Sequence, residues 1–283
     1  MSSFPSQIRT ATSWSVILHR YSQKMSRQPP DDSLPDYVRQ NRDLWDAEAD
    51  AWVASGERGW AGDPAWGIWQ ISESELRLLP DDMRGMRAIE LGCGTAYVSA
   101  WMARRGAAVV GVDNSERQLA TAARLATEHA VELELVHGNA ERVSYPDESF
   151  DFAISEYGVA IWADPYRWIP EAWRVLRPGG QLVFLGNHPI AMLTMDLASN
   201  APAARTLLNP YFGMHRIEWA NDEGIEFNLP ISEWMRLFSE VGFEVISYHE
   251  LRPTAREDEV RYFVSADWAF DYPSEQVWKL RKA

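Results

Sequence analysis

The stretch Ala88-Ile89-Glu90-Leu91-Gly92-Cys93-Gly94-Thr95 decides the fold. Arg87 to Leu91 reads as a short buried strand. The two glycines let the backbone turn tightly and let a ligand come close. Ala96 to Arg105 then recurs with helical spacing, and Gly106 suits its C-terminal stop. The same alternation extends downstream. Ala108 to Val112 is a strand ending at Asp113, and Ser115 to His129 a helix. Leu133 to His137 and Phe150 to Ser155 are strands. Asp164 to Leu176 is a helix closed by Arg177-Pro178-Gly179-Gly180, and Gln181 to Gly186 a further strand. Strands alternating with helices predict an α/β fold, a doubly wound Rossmann-like sheet of about seven mostly parallel strands with an antiparallel edge strand.

Upstream, apolar residues from Asp36 to Ala54 recur at helical steps until Ser55-Gly56. A loop rich in Gly and Trp, 59–69, follows, and Ser72 with Glu75 forms a capping box on a short helix. After Gly186 the rhythm breaks. Residues 188–230 read as an inserted cap, with Met192, Met195, Tyr211, Phe212, Met214, His215 and Trp219 among polar residues. Ser232 to Val241 is a helix closed by Gly242, Phe243 to Leu251 a strand, and Ser265 to Phe270 a last edge strand. The domain spans 31–283. Residues 1–30 hold Arg9, Arg20, Lys24 and Arg27 and no acid. They read as an appendage outside the fold; a transit peptide and a short packed helix are the other readings, and Met25 opens a second start.

The chain has 283 residues, 46% hydrophobic and 24% charged, which fits one α/β domain with insertions. Its net charge of −14 repels phosphate backbones and argues against unspecific nucleic-acid binding. No apolar run is long enough to span a bilayer. The only cysteine, Cys93, excludes an intrachain disulfide and suits a reducing compartment, so a cytoplasmic protein is expected. The 14 tryptophans fit either a Trp-rich core or an aromatic pocket.

Asp113 stands at the end of the strand after the glycine loop, where a carboxylate takes two hydrogen bonds from a ribose diol. A nicotinamide dinucleotide fingerprint would place a third glycine at 97, and this chain has Tyr97. That shifts the expectation from a dinucleotide to an adenosyl ligand without phosphate. Further segments align with this reading: Gly138-Asn139-Ala140-Glu141, Ser149-Phe150-Asp151-Phe152-Ala153-Ile154-Ser155, and Glu171-Ala172-Trp173-Arg174-Val175-Leu176-Arg177-Pro178-Gly179-Gly180. In this order and spacing, residues 70–250 resemble class I methyltransferases dependent on S-adenosylmethionine (SAM), of the small-molecule branch that includes the menaquinone-biosynthesis type.

The resemblance implies SAM as cofactor, S-adenosylhomocysteine as product and a small-molecule methyl acceptor. Glu90 would hold the methionine ammonium, partly through water. Gly92, Cys93 and Gly94 would pass their backbone along the cofactor, and Asp113 would bind the ribose hydroxyls. Asn114 would lie beside the adenine, and Asn139 and Ala140 would meet its edge, with Asn139 where an aspartate is usual. Ser155 would offer its carbonyl to the ammonium. Trp66 and Trp69 precede the first core strand; that segment would close over the methionine end, or else anchor the long helix. Cys93 reads as a spacer between glycines rather than a nucleophile.

If the acceptor must lose a proton, the base must stand where open α/β sheets bind ligands, at the carboxyl ends of the strands. His188 is the first candidate general base, since imidazole titrates near neutral pH. Tyr157 is the second candidate. Both have a bland alternative, as a turn histidine and a packing tyrosine. Trp66, and Tyr211 and His215 in the cap, are candidate acceptor-binding residues. Glu156, Asp164 and Glu171 lack metal-ligand spacing, so a metal-independent reaction is expected. A non-catalytic SAM-binding regulator and a nicotinamide oxidoreductase are the competing readings; no Tyr-x-x-x-Lys supports the latter.

Overall fold

The computed structural model describes residues 24–27, 34–199, 201–220 and 224–283. Its main sheet has eight strands. In chain order they are β1 (Lys24–Arg27), β2 (Arg87–Leu91), β3 (Ala108–Asp113), β4 (Glu134–His137), β5 (Phe150–Glu156), β6 (Leu176–Asn187), β7 (Phe243–Leu251) and β8 (Glu275–Lys282). Across the sheet they run β1-β4-β3-β2-β5-β6-β8-β7. Every pairing from β1 to β6 is parallel. β8 runs antiparallel to both β6 and β7. The order reverses between β2 and β5, and such a switch point opens a crevice outside the carboxyl ends of the strands.

The β2–β6 strands are apolar because both faces are covered. One face carries Ile89, Leu91, Phe150 and Phe184 against the helices Pro165–Val175 and Ile231–Val241. The other carries Ala88, Val109, Phe152 and Val183 against the helices Tyr97–Arg104 and Glu116–Glu128. Burying a side chain such as Phe150 or Ile89 contributes about 1.5–3 kcal/mol, so this two-sided layer supplies most of the fold's cohesion. Ser115 caps the second of these helices through the Gln118 N–H, and Gly242 closes Ile231–Val241 in the left-handed conformation at φ 98°.

Four expectations change. The long helix runs from Asp36 to Ala61, through Ser55-Gly56. Gly56 serves packing instead of termination: a Cβ there would stand 2.7 Å from Thr95 Oγ1. Gly59 similarly lets Tyr97 approach, and Trp60 Nε1 donates to the Thr95 carbonyl at 2.7 Å. The helix therefore lies against the glycine loop. Secondly, Ser265 to Phe270 is not a strand. Ser265 caps a helix, Ala266–Asp271, and the strand is β8, which enters between β6 and β7.

Thirdly, the cap has three parts. Side chains from 68–71, 190–219 and 264–269 share one apolar cluster that includes Trp69, Met192, Met214, Ile217 and Trp268. Fourthly, part of the segment 1–30, expected outside the fold, joins the sheet. Residues 24–27 pair in parallel with β4, whose outer edge offers unpaired backbone groups. The rest of that segment lies outside the described residues. No described helix is long and apolar enough to cross a membrane.

Candidate active site at the carboxyl ends of the strands

The turn after β2 is built around Asp113. Its Oδ2 accepts the Gly94 N–H at 2.7 Å and its Oδ1 the Ser115 N–H at 2.8 Å. Each oxygen keeps a lone pair for a ligand. Gly94 sits at φ 51°, and a Cβ there would meet nothing within 4 Å. The loop is thus open on its Gly94 side. On its Gly92 side it is closed: Gly92 is at φ 73°, and a Cβ would stand 2.6 Å from the Val159 nitrogen. Gly92 presses against Gly158 just past β5, so the carboxyl ends of β2 and β5 meet without side chains between them.

Glu90 lies beneath this turn, 2% exposed. Its carboxylate accepts the Ser99 N–H at 2.7 Å and the Ser99 hydroxyl at 2.5 Å. Burial pushes its pKa up to about 8. Cys93 is buried with its sulfur against Gly111, and burial pushes its thiol up too, as suits a spacer and not a nucleophile. Ser155 is buried at the end of β5, where its Oγ accepts the Ala160 N–H. Asn139 Oδ1 accepts the Glu141 N–H and bends the turn that carries the buried Ala140.

Asn114 bonds through its side chain to the long helix. Its Oδ1 accepts from Arg42 Nε at 2.9 Å and its Nδ2 donates to the Val38 carbonyl at 2.8 Å. Its side chain is committed to the long helix, which leaves only its backbone for an adenine. Trp66 is committed as well. It is 0% exposed, its indole donates to Glu73 at 2.7 Å, and Trp101 meets it edge-on. It is a core residue with no face for an acceptor. Trp69 donates to Ser274 Oγ at 2.8 Å and anchors the 65–72 segment to the residue before β8.

His188 is not free to act as a base. It is 2% exposed and caps the helix Pro189–Thr194. Nδ1 accepts the Ile190 N–H at 3.0 Å, so the ring proton is on Nε2, 3.1 Å from Glu250 Oε1. Both nitrogens are spent, and burial pushes the pKa down to about 4. The expected result for His188→Ala is a stability loss of roughly 1 kcal/mol, as for other lost caps. Its rate profile between pH 6 and 8 keeps the wild-type shape; a titration lost from that profile would restore His188 as the base.

The cap residues also serve local structure. Tyr211 accepts the Ile231 N–H on its hydroxyl at 3.0 Å, at the start of the helix Ile231–Val241. His215 Nε2 lies 3.0 Å from Asp164 Oδ1. The Asp164 N–H donates in turn to Glu141, which also receives the Tyr37 hydroxyl. His215 therefore joins the Asp164–Glu141 cluster beyond the end of β4.

Tyr157 stands just past the carboxyl end of β5. Its hydroxyl donates to Glu275 Oε1 at 2.7 Å, and it holds φ 57°, a strained angle for a side-chain-bearing residue. Glu275 also accepts the Ile68 N–H at 2.9 Å. A second carboxylate, Glu156, accepts the Gly67 N–H at 3.1 Å and the Tyr97 hydroxyl. Neither carboxylate, nor Glu90 or Asp113, forms an ion pair with Arg or Lys among the described residues. Aromatic rings stand around the rim. Trp52 stacks on Tyr262 at 6.0 Å, and Trp45 meets Trp52 and Trp162 edge-on.

Sequence reading missed this set. Glu156 was visible only as an acid near β5, Tyr97 only as an absent glycine, and Glu275 not at all. No local signal marks Glu275, because its place depends on β8 entering the sheet in reverse.

The described residues fit SAM. Gly94 leaves open space beside a carboxylate with lone pairs for a ribose, and four acids without basic partners complement a cation in a low-dielectric crevice.

Comparison with known proteins agrees. Residues 89–184 match a methyltransferase-domain family. A demethylmenaquinone methyltransferase from Listeria monocytogenes is 28% identical over 182 residues, covering 58% of this chain and 73% of the relative. A ubiquinone biosynthesis O-methyltransferase from Maricaulis maris is 35% identical over 100 residues, covering 35% and 39%. Among solved structures, a SAM-dependent methyltransferase from Mesorhizobium loti superposes with a TM-score of 0.58 at 24% identity, covering 74% of this chain and 95% of that one.

Proposed function

We propose that this chain, a class I SAM-dependent methyltransferase, methylates a small, partly apolar acceptor held under the cap at the carboxyl ends of β5, β6 and the start of β8. The Gly94–Asp113 arrangement carries the reading, because it combines an open backbone approach with a carboxylate already oriented by two N–H donors. SAM supplies an activated methyl group on a sulfonium, so the protein's task is alignment. Asp113 fixes the ribose, and the Gly92–Gly94 backbone follows the amino-acid portion. Glu90, Glu156 and the Ser155 carbonyl offer negative potential to the ammonium and sulfonium. The apolar cluster shared by 68–71, 190–219 and 264–269 roofs this end of the sheet and keeps water from the methyl group.

The relatives' names include quinone-biosynthesis methyltransferases, which supports an acceptor with a flat apolar body. The test is transfer of labelled methyl from SAM into a fractionated metabolite extract, alongside calorimetric binding of S-adenosylhomocysteine. One labelled small molecule, with binding of the product cofactor, is the expected result. Binding without any label transferred would leave a SAM-binding regulator.

A further inference from the structure

One buried oxygen near the proposed site has no partner. Glu275 is 0% exposed, and its Oε2 makes no hydrogen bond in the structure. An unsatisfied buried acceptor costs of order 1–3 kcal/mol, more when charged, and such exceptions call for an explanation. Its position supplies one. Glu275 opens β8 opposite Asn187, the last residue of β6. Because β8 runs in reverse, its first residue stands at the carboxyl ends of the parallel strands. Tyr157 and Ile68 hold Oε1 from two sides, the Trp69 N–H lies near the carboxylate, and among the described residues no hydrogen bond of good geometry reaches Oε2.

We propose that Glu275 is the catalytic proton acceptor for a phenol-class hydroxyl, which binds at Oε2 and is O-methylated there. This rests on the methyl-transfer reading above. The donors at this place, the Tyr97 and Tyr157 hydroxyls and the Gly67 and Ile68 N–H groups, are all turned onto Glu156 and Glu275. With both carboxyl groups ionised, what remains is acceptor-only, so it selects a ligand that brings a donor. A hydroxyl gives its one hydrogen to Oε2 and keeps a lone pair for attack. An ammonium between two carboxylates is stabilised in its charged form and has no lone pair to give.

In the step, the O–H bond breaks as its proton passes to Oε2. The oxygen lone pair forms the new C–O bond, and the electron pair of the broken C–S bond stays on sulfur. A carboxylate and a sulfonium become a carboxylic acid and a thioether, so charge balances. Burial and the neighbouring Glu156 charge push Glu275 up to about 8, against the lowering effect of the Tyr157 hydroxyl and the Ile68 and Trp69 N–H groups. That lies roughly two units from a phenol near 10, a gap a general base spans.

The turn Gly67–Gln70 covers Oε2. A Cβ at Gly67 would stand 2.9 Å from it, and both Gly67 and Gln70 hold positive φ. For an acceptor to reach Oε2 this turn must move aside, while the Ile68 N–H belongs to Oε1 and the Gly67 N–H to Glu156.

The probes are 1-naphthol, naphthalene-1,4-diol and 2-phenylethylamine, assayed with labelled SAM and by calorimetry on the complex with S-adenosylhomocysteine. Wild-type protein is expected to methylate a naphthol with a rate that rises towards an apparent pKa near 8. Glu275→Gln should cut turnover at least 100-fold, abolish that titration and leave S-adenosylhomocysteine affinity within threefold. Tyr157→Phe removes a donor that favours the carboxylate, so its rate profile should shift to higher pH; this variant carries the test if Glu275→Gln does not fold. Unchanged turnover in Glu275→Gln, no alkaline shift in Tyr157→Phe, or methylation of the amine alone would overturn the proposal. So would S-adenosylhomocysteine binding with neither naphthol bound. If the wild-type protein binds no S-adenosylhomocysteine, the methyl-transfer reading itself falls.

Discussion

Asp113→Ala is expected to weaken S-adenosylhomocysteine binding by roughly 10²–10⁴-fold. Two hydrogen bonds from ribose hydroxyls to a carboxylate are worth about 1.5–3 kcal/mol each, and every 1.4 kcal/mol is a factor of ten. The loss has a second source, because Asp113 also holds the Gly94 and Ser115 N–H groups. Without it the glycine turn loses its brace, and the binding surface is no longer preorganised. Asp113→Asn keeps one acceptor oxygen and should lose less. Isothermal calorimetry on the folded variants decides the matter: a dissociation constant within threefold of wild type in Asp113→Ala would remove Asp113 from the site.

Gly92→Ala should destabilise the fold by about 3 kcal/mol or more. A left-handed angle costs an alanine about 1 kcal/mol, and overpacking adds typically 1–3 kcal/mol. The clash here is with backbone, since the new Cβ would stand 2.6 Å from the Val159 nitrogen and 2.8 Å from the Gly158 Cα. Backbone at the end of β5 has no rotamer with which to give way. For a domain of this size the midpoint of thermal unfolding should fall by roughly 6–12 °C. Gly94→Ala is the matched control. It bears the same kind of strain at φ 51° but meets nothing within 4 Å, so it should cost about 1 kcal/mol and act mainly by crowding the cofactor. Equal thermal shifts in the two variants would contradict the close approach of β2 and β5.

Local grammar made most of the sheet legible. Arg87–Leu91, Ala108–Asp113 and Phe150–Glu156 are short apolar runs bounded by turn residues, and their pattern does not depend on distant partners. The residues proposed for the cofactor were legible in the same way, because they sit at the ends of those strands. What failed was whatever distance in sequence determines. Gly56 looked like a helix stop because nothing nearby reveals that Thr95 packs on it. His188 looked like a base because its pattern, a histidine before a proline near a strand end, is the same whether it caps a helix or faces a ligand. Its Nδ1 contact to Ile190 shows the former. Glu275 was illegible because its chemistry comes from Tyr157 just past β5 on one side and the Gly67–Gln70 turn on the other.

The interior position of β8 has a consequence for biogenesis. Although latest in sequence among the strands, it lies between two others and bonds to both along most of its length. Until it arrives, β6 and β7 each present a raw edge, open to pairing with any extended neighbour. Emergence from the ribosome therefore leaves a nascent chain with its glycine loop shaped but its sheet unsealed. Chaperone dependence and aggregation should concentrate in that interval, when long-range pairing is still pending. The same late strand delivers Glu275, so the residue assigned to proton transfer comes into place only as the sheet is sealed.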